Sequence, residues 1–128
     1  MELDMERRLE LLSAVICEFQ IGVVALDGEE RIVLWNRWME EGSGISKSQA
    51  VGVRFTDLLP EMAGGRVHGA VRLALEKGCS TLLSQSLNKA PFPLYAQESQ
   101  GRERLQQQVH VTPLNLDGSA ARYGLIQV

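Results

Sequence analysis

Two histidines, His68 and His110, and two cysteines, Cys17 and Cys79, are the scarcest reactive side chains in this sequence. None of them stands in a His-x-x-x-His or Cys-x-x-Cys pair, so no metal ligand set is expected. No serine or cysteine sits on a Gly-x-Ser-x-Gly elbow, and neither a P-loop nor a Gly-x-Gly-x-x-Gly loop occurs. Gly42-Ser43-Gly44 lacks a third glycine at the required spacing and does not directly follow a strand, so it reads as a helix stop and turn. The carboxylate pairs Glu29-Glu30 and Glu40-Glu41 read as solvated charge. No catalytic constellation emerges, and enzymatic activity is not expected of this stretch.

The elements around these residues follow from pattern. The chain has 128 residues, 45% apolar and 23% charged, with a net charge of −3. That suits one domain with its own core and argues against nucleic acid, which attracts a basic patch. The apolar runs are too short to span a membrane, and the mixed-charge start is not a signal peptide. Reduced, buried thiols in a cytoplasmic protein are the expectation for both cysteines.

Residues 3–18 read as a helix, with Leu9, Leu12, Ile16 and Phe19 on one stripe that Leu11 and Val15 widen. Glu2, Asp4 and Glu6 sit where the helix dipole favours them. Strands are expected at 21–26 and 31–35, joined by a hairpin at Asp27-Gly28. Asn36 is a natural N-cap for a short helix over 37–41. Ser46 caps a further turn that Gly52 ends, and Thr56 or Asp57 caps another at Asp57-Leu58-Leu59. Residues 66–77 form the clearest helix, with Val67, Ala70, Val71, Ala74 and Leu75 on its stripe and Gly78 as its stop. Strands follow at 79–87, 105–114 and 122–128, the last two separated by an Asp-Gly turn within 116–121, and residues 88–104 read as a loop. Runs of strands without strict alternation with helices indicate an α+β fold on one antiparallel sheet.

That order, with these residues, resembles a PAS domain over about residues 20–128. The resemblance rests on the Asp-Gly hairpin, Asn36 opening a short helix, the Ser43-Gly44-Ile45 turn, Gly52 before Asp57-Leu58-Leu59, the helix ending in Ala74-Leu75-Glu76-Lys77-Gly78, and the three strands after it. It implies a five-stranded antiparallel sheet in the order 2-1-5-4-3, with short helices on one face enclosing a small pocket. Residues 1–19 become a flanking amphipathic helix and residues 20–128 the PAS domain. Asp27, Gly28, Asn36, Gly44 and Gly52 become cap and turn residues.

The second half of the chain is similar to PAS modules that precede GGDEF (diguanylate cyclase) or histidine-kinase output domains in bacteria. The chain stops at Val128, before the linker motif such modules carry. It therefore reads as a sensor module of signal transduction whose output domain lies beyond it.

The resemblance also sorts the chemistry. Haem-binding members carry an axial histidine on the long helix, near the place of His68. An imidazole there, facing an apolar pocket, could hold haem iron. The strand after Gly78, however, offers no arginine to meet bound oxygen, and a rim histidine or a contact to an organic ligand are the other readings. Flavin photochemistry needs a cysteine where this chain reads Gly52-Val53-Arg54-Phe55-Thr56-Asp57, and attached haem needs Cys-x-x-Cys-His; both are missing. A cofactor is therefore not expected. Candidates to face the pocket are Val24, Leu34, Met39, Phe55, Leu58, His68, Val71, Leu75 and Leu83, although the same apolar residues are needed for a core. An antiparallel sheet with one bare face exposes apolar residues. The helix carrying Leu9, Leu12, Ile16 and Phe19 relieves this by covering that face or pairing with its twin, so a homodimer is expected. The functional alternatives are a ligand-responsive sensor, a ligand-free dimerisation module and a haem-based gas or redox sensor. Trp35 ends a strand and packs, and Trp38 is open to an interface role.

Overall fold

The structure, a computed structural model, describes residues 4–83, 108–115 and 122–128. Helix α1 (Met5–Glu18) opens on Asp4, whose carboxylate accepts the Arg7 amide at 2.8 Å. This cap satisfies a free amide and puts negative charge at the positive end of the helix. Strands β1 (Val23–Leu26) and β2 (Ile32–Trp35) follow. Four helices come next: α2 (Arg37–Ser43), α3 (Lys47–Ala50), α4 (Phe55–Leu58) and α5 (Arg66–Lys77), with a 3-10 turn at Pro60–Met62. The chain closes on β3 (Thr81–Leu83), β4 (Val109–Asn115) and β5 (Arg122–Gln127).

All strand pairs are antiparallel, and the sheet runs β2-β1-β5-β4-β3 as expected. Its register builds the core. Trp35, Val24, Ile126 and Val111 lie opposite one another on successive strands. All four are buried and belong to one cluster with Met39 of α2, Ala50 of α3, Phe55 of α4, and Val67, Ala70, Val71 and Ala74 of α5. The helices α2–α5 thus cover the face of the sheet to which this row points.

The short helices are held by their ends. Ser46 and Gln49 form a reciprocal capping box at the start of α3. Gly44 ends α2 with φ of 77°, a left-handed conformation that costs a residue with a Cβ about 1 kcal/mol. The Trp35 indole donates to the Ile45 carbonyl at 3.0 Å, tying the end of β2 to the α2–α3 connection.

Several boundaries differ from expectation for local reasons. β1 begins at Val23, not Ile21, although Gly22 still exchanges amide and carbonyl bonds with Val128, and α2 packs closely on it. A Cβ on Gly22 would stand 2.5 Å from Met39 Sδ and 2.9 Å from the Trp38 ring, so only glycine fits. Trp38 is accordingly half-buried against the core rather than free. The hairpin turns on the Asp27 side chain, which accepts the amides of Glu29 and Arg31, each at 2.9 Å. Its left-handed residue is Glu30, with φ of 66°, and not Gly28. α4 starts at Phe55, so neither Thr56 nor Asp57 caps it, and no side chain does. Cys17 is half-buried and Cys79 exposed, so neither thiol is in the core; Cys79 lies past the Gly78 stop of α5. The expected strand beyond residue 83, the loop at 88–104, the start of the strand at 105–107 and the Asp117-Gly118 turn lie outside the described residues.

Phe55 has no exposed surface. Replacing it with alanine removes a large core side chain and is expected to cost about 3–5 kcal/mol in urea denaturation. Leu73→Ala, at a half-exposed position of the same fold, is expected to cost less than about 1 kcal/mol. Equal losses at the two sites would contradict this placement of the core.

Candidate functional site

Three places gather the residues singled out by sequence: the space beneath the helices, its rim at His68, and the junction of α1 with the sheet. Beneath the helices, Val24, Met39, Phe55 and Val71 are fully buried, and Leu83 nearly so. They share one cluster, and Leu58 and Leu75 lean on it while half-exposed. These side chains pack on one another.

Leu34 lies elsewhere. It pairs with Ala25, and Val24, one residue away, pairs with Trp35 on the core face. The two-residue period of a strand therefore turns Leu34 to the opposite face. The register slips between Ala25 and Leu26, which lets Ile32 regain the core face and leaves Val33 exposed. Ala25, Leu34, Leu125 and Thr112 share the outer face in register, and Leu82 stands exposed beside them on β3.

At the rim, His68 sits in the first turn of α5 with both ring nitrogens engaged. The Gly64 amide donates to Nδ1 at 2.9 Å. Nδ1 is therefore an acceptor, and the Arg72 Nε lies 3.5 Å from Nε2. Nε2 lies 2.8 Å from Glu30 Oε1. That oxygen is buried and has no hydrogen-bond partner among the described residues, so the approach of His68 is a close polar contact. The pair joins the tip of the β1–β2 hairpin to the start of α5, and its side chains are only 13% and 16% exposed. Iron ligation would require His68 to give up one of these contacts. Sequence pattern did not connect Glu30 with His68, because the link depends on the left-handed turn at Glu30.

At the third place, Asn36 is 1% exposed, and both ends of its side chain are used. Its oxygen accepts the Met39 amide at 3.2 Å, the expected N-cap of α2, and also the Val23 amide of β1 at 3.1 Å. Its nitrogen donates to the Ile21 carbonyl at 2.9 Å and to the Ile16 carbonyl of α1 at 3.2 Å. A capping residue needs only the first of these bonds. Beside it, α1 and β2 enclose a cleft of about 140 Å³ lined by Ser13, Ile16, Cys17, Leu34 and Trp35, with Lys47 at its edge.

No residue of α1 is buried. The helix stands beside β2 and α2 and does not close over the sheet. Leu9 and Leu12 are 57% and 58% exposed, and Met5 and Phe19 are also open. Ile16 is half-buried at the cleft, so it lies on the boundary between the exposed stripe and the side that meets β2.

Among the described residues no helix is long and apolar enough to cross a membrane, and no three acidic, histidine or cysteine side chains gather as a metal site. No curated protein sequence matches the chain. Its fold is similar to that of a sensory box sensor histidine kinase from Vibrio cholerae, at 18% identity and a TM-score of 0.67, over 96% of this chain and 91% of that one. It is also similar to the PAS domain of histidine kinase ThkA, at 18% identity and a TM-score of 0.62, over 84% and 95% of the two chains. A Rhodobacter sphaeroides LOV protein matches at 17% identity and a TM-score of 0.61, over 98% of this chain and 66% of that one. The family model described as PAS fold matches residues 18–127. With this sheet order and these helices over one face, the chain belongs to the PAS-fold family.

Proposed function

We propose that this domain is the input module of a bacterial sensor histidine kinase and acts as a homodimer joined through α1. The supporting observation is the stripe of Met5, Leu9, Leu12 and Ile16 on α1, spaced by four, three and four residues, with Phe19 following at its extended C-cap. That is the repeat of a coiled-coil seam, in which apolar knobs need holes from another helix. Within one chain, four of the five are exposed and Ile16 is half-buried. A second copy of α1 presents the same spacing and is self-complementary in the way a two-fold interface requires. Residues 1–19 then serve as the flanking dimerisation helix and residues 20–128 as the sensory domain proper.

A kinase, rather than a diguanylate cyclase, is the output we favour, because two of the three solved structures of similar fold named above are described as histidine kinases. The module would work on the cytoplasmic side, passing dimer geometry to that output domain without chemistry of its own.

A small ligand is the second reading, with the residues beneath the helices as its contacts. The mutual packing of Val24, Met39, Phe55 and Val71 favours the dimerisation reading over it. Haem is the weakest alternative, because both nitrogens of His68 are occupied.

Light scattering on the eluting protein tests the dimer. Leu9→Glu/Leu12→Glu changes only exposed positions, so the circular dichroism spectrum should stay unchanged while the mass falls from dimer to monomer. A dimer that survives both charges would remove α1 as the interface. Ile16→Glu is a poorer probe, since Ile16 also lines the cleft with β2.

Native mass spectrometry of the freshly purified domain separates the two leading readings. A clean apo mass is expected, and a recurring extra mass on the folded chain would establish the ligand reading instead. Added haemin should give the same absorbance spectrum with the parent chain and with His68→Ala. A Soret band lost only in the variant would restore the haem reading.

A further inference from the structure

The Asn36 carboxamide has four hydrogen-bond positions, and all four go to different parts of the chain. Its oxygen faces the amides of Met39 in α2 and Val23 in β1, and its nitrogen faces the carbonyls of Ile16 in α1 and Ile21 in the connection to β1. The other attachments of α1 are weak. It buries no residue, has no basic side chain in its last turn, and overlies a cleft. Its ion pair to α2, Arg37 Nη1 to Glu18 Oε1 at 3.4 Å, joins two side chains more than half exposed, where such pairs contribute little. The Ile16 carbonyl also receives the Phe19 amide, at 3.3 Å, in a bond that closes the helix on itself and fixes nothing outside it.

On the other side of the carboxamide, the Met39 amide is attached to a side chain that is wholly buried in the core and packs against Gly22. A displacement of Met39 therefore moves the cap acceptor. The same rigid planar group then moves its donor against the end of α1.

We propose that Asn36 is the positioning residue that couples α1 to the core through α2, so that the packing beneath α2 sets how firmly α1 is held. Such coupling is reciprocal: holding α1 steadies the first turn of α2 by the same free energy. The inference deepens the sensing reading by naming the route from core to interface helix. It depends on that reading only for the use made of the route, since the coupling exists within one chain.

The test is hydrogen exchange of the domain, carried out both in the parent chain and in the monomeric Leu9→Glu/Leu12→Glu background. Asn36→Asp keeps the acceptor that caps α2 and replaces the donor with an oxygen facing two carbonyls. Exchange over residues 14–21 is expected to rise about tenfold or more, with α2 and α5 within about threefold of the parent. Arg37→Ala, which breaks only the exposed ion pair, should change residues 14–21 by less than about twofold. Unchanged exchange at 14–21 in Asn36→Asp, or equal loosening of α1 and α5, overturns the proposal.

Should Asn36→Asp fail to fold, the unaltered chain decides. Both Asn36 side-chain amide protons should exchange about a hundredfold more slowly than a free carboxamide, because both are bonded and the group is buried. Exchange at the free rate would refute the joint. Met39→Ala tests the other direction: it should loosen residues 14–21 more than α5, and an equal or smaller effect there denies the coupling. Because these results are read in the monomeric background as well, failure of the joint is distinct from failure of the dimer.

Discussion

An antiparallel sheet that buries one face needs a continuous cover, and here the cover is assembled from pieces too short to be helical alone. α3 and α4 have four residues each and α2 has seven. Isolated helices need roughly 12–15 residues to be even marginally stable in water. Each piece therefore exists because it places one or two side chains on the sheet: Met39 from α2, Ala50 from α3, Phe55 from α4. The row of Trp35, Val24, Ile126 and Val111 is what they bury against. The sheet and its cover are stable only together.

The same constraint explains why polar links cluster where helices begin and end. Apolar burial holds the middle of each piece but leaves its terminal amides and carbonyls unsatisfied. Asn36 serves the start of α2, and the Ser46–Gln49 box serves α3. Arg122, reaching across from β5, donates to the Leu75 carbonyl at 3.2 Å near the end of α5 and brings positive charge to the negative end of that helix. His68 reaches the hairpin tip from the opposite end of α5. The domain's charged and amide side chains thus tie the cover to the sheet around its rim.

The order of elements was legible because each depends on neighbours in the chain. Periodicity marked α5, the cap residues Asn36 and Ser46 stand directly before their helices, and glycine marked the ends of α2 and α5, while α3 ends on Val51 and not on Gly52. The sheet order came from the resemblance to the PAS family, since strand pairing between distant segments leaves no local signal. What sequence missed is contact across the fold. Leu34 looks like a pocket residue in an unbroken apolar strand, and only its pairing with Ala25 turns it outward. Gly22 looks like an ordinary residue of a strand, and only Met39 and Trp38 packed against it show why it is glycine. Asn36 shows its cap in the sequence, whereas its bonds to Ile16, Ile21 and Val23 join segments up to 20 residues away. The pair of Glu30 and His68 was hidden for the same reason.

The two faces of the sheet now divide the work. On the core face, apolar residues are locked among themselves, and a change there must displace neighbours, because a close-packed interior does not deform locally. On the outer side, α1 keeps its apolar stripe unburied, and Leu82 and Leu34 are only partly covered. A rigid interior and an exposed α1 can be coupled only by something that links them across the sheet's edge. β2 is that edge strand, and Asn36 follows it directly, where strand, α2 and α1 meet. An asparagine suits this position better than any other capping residue. Serine and aspartate can cap α2, but neither has the pair of N–H donors that reaches the carbonyls of Ile16 and Ile21. The residue type at this one site thus suits α1 as much as α2, which ties the flanking helix to the PAS fold and does not leave it as an appendage.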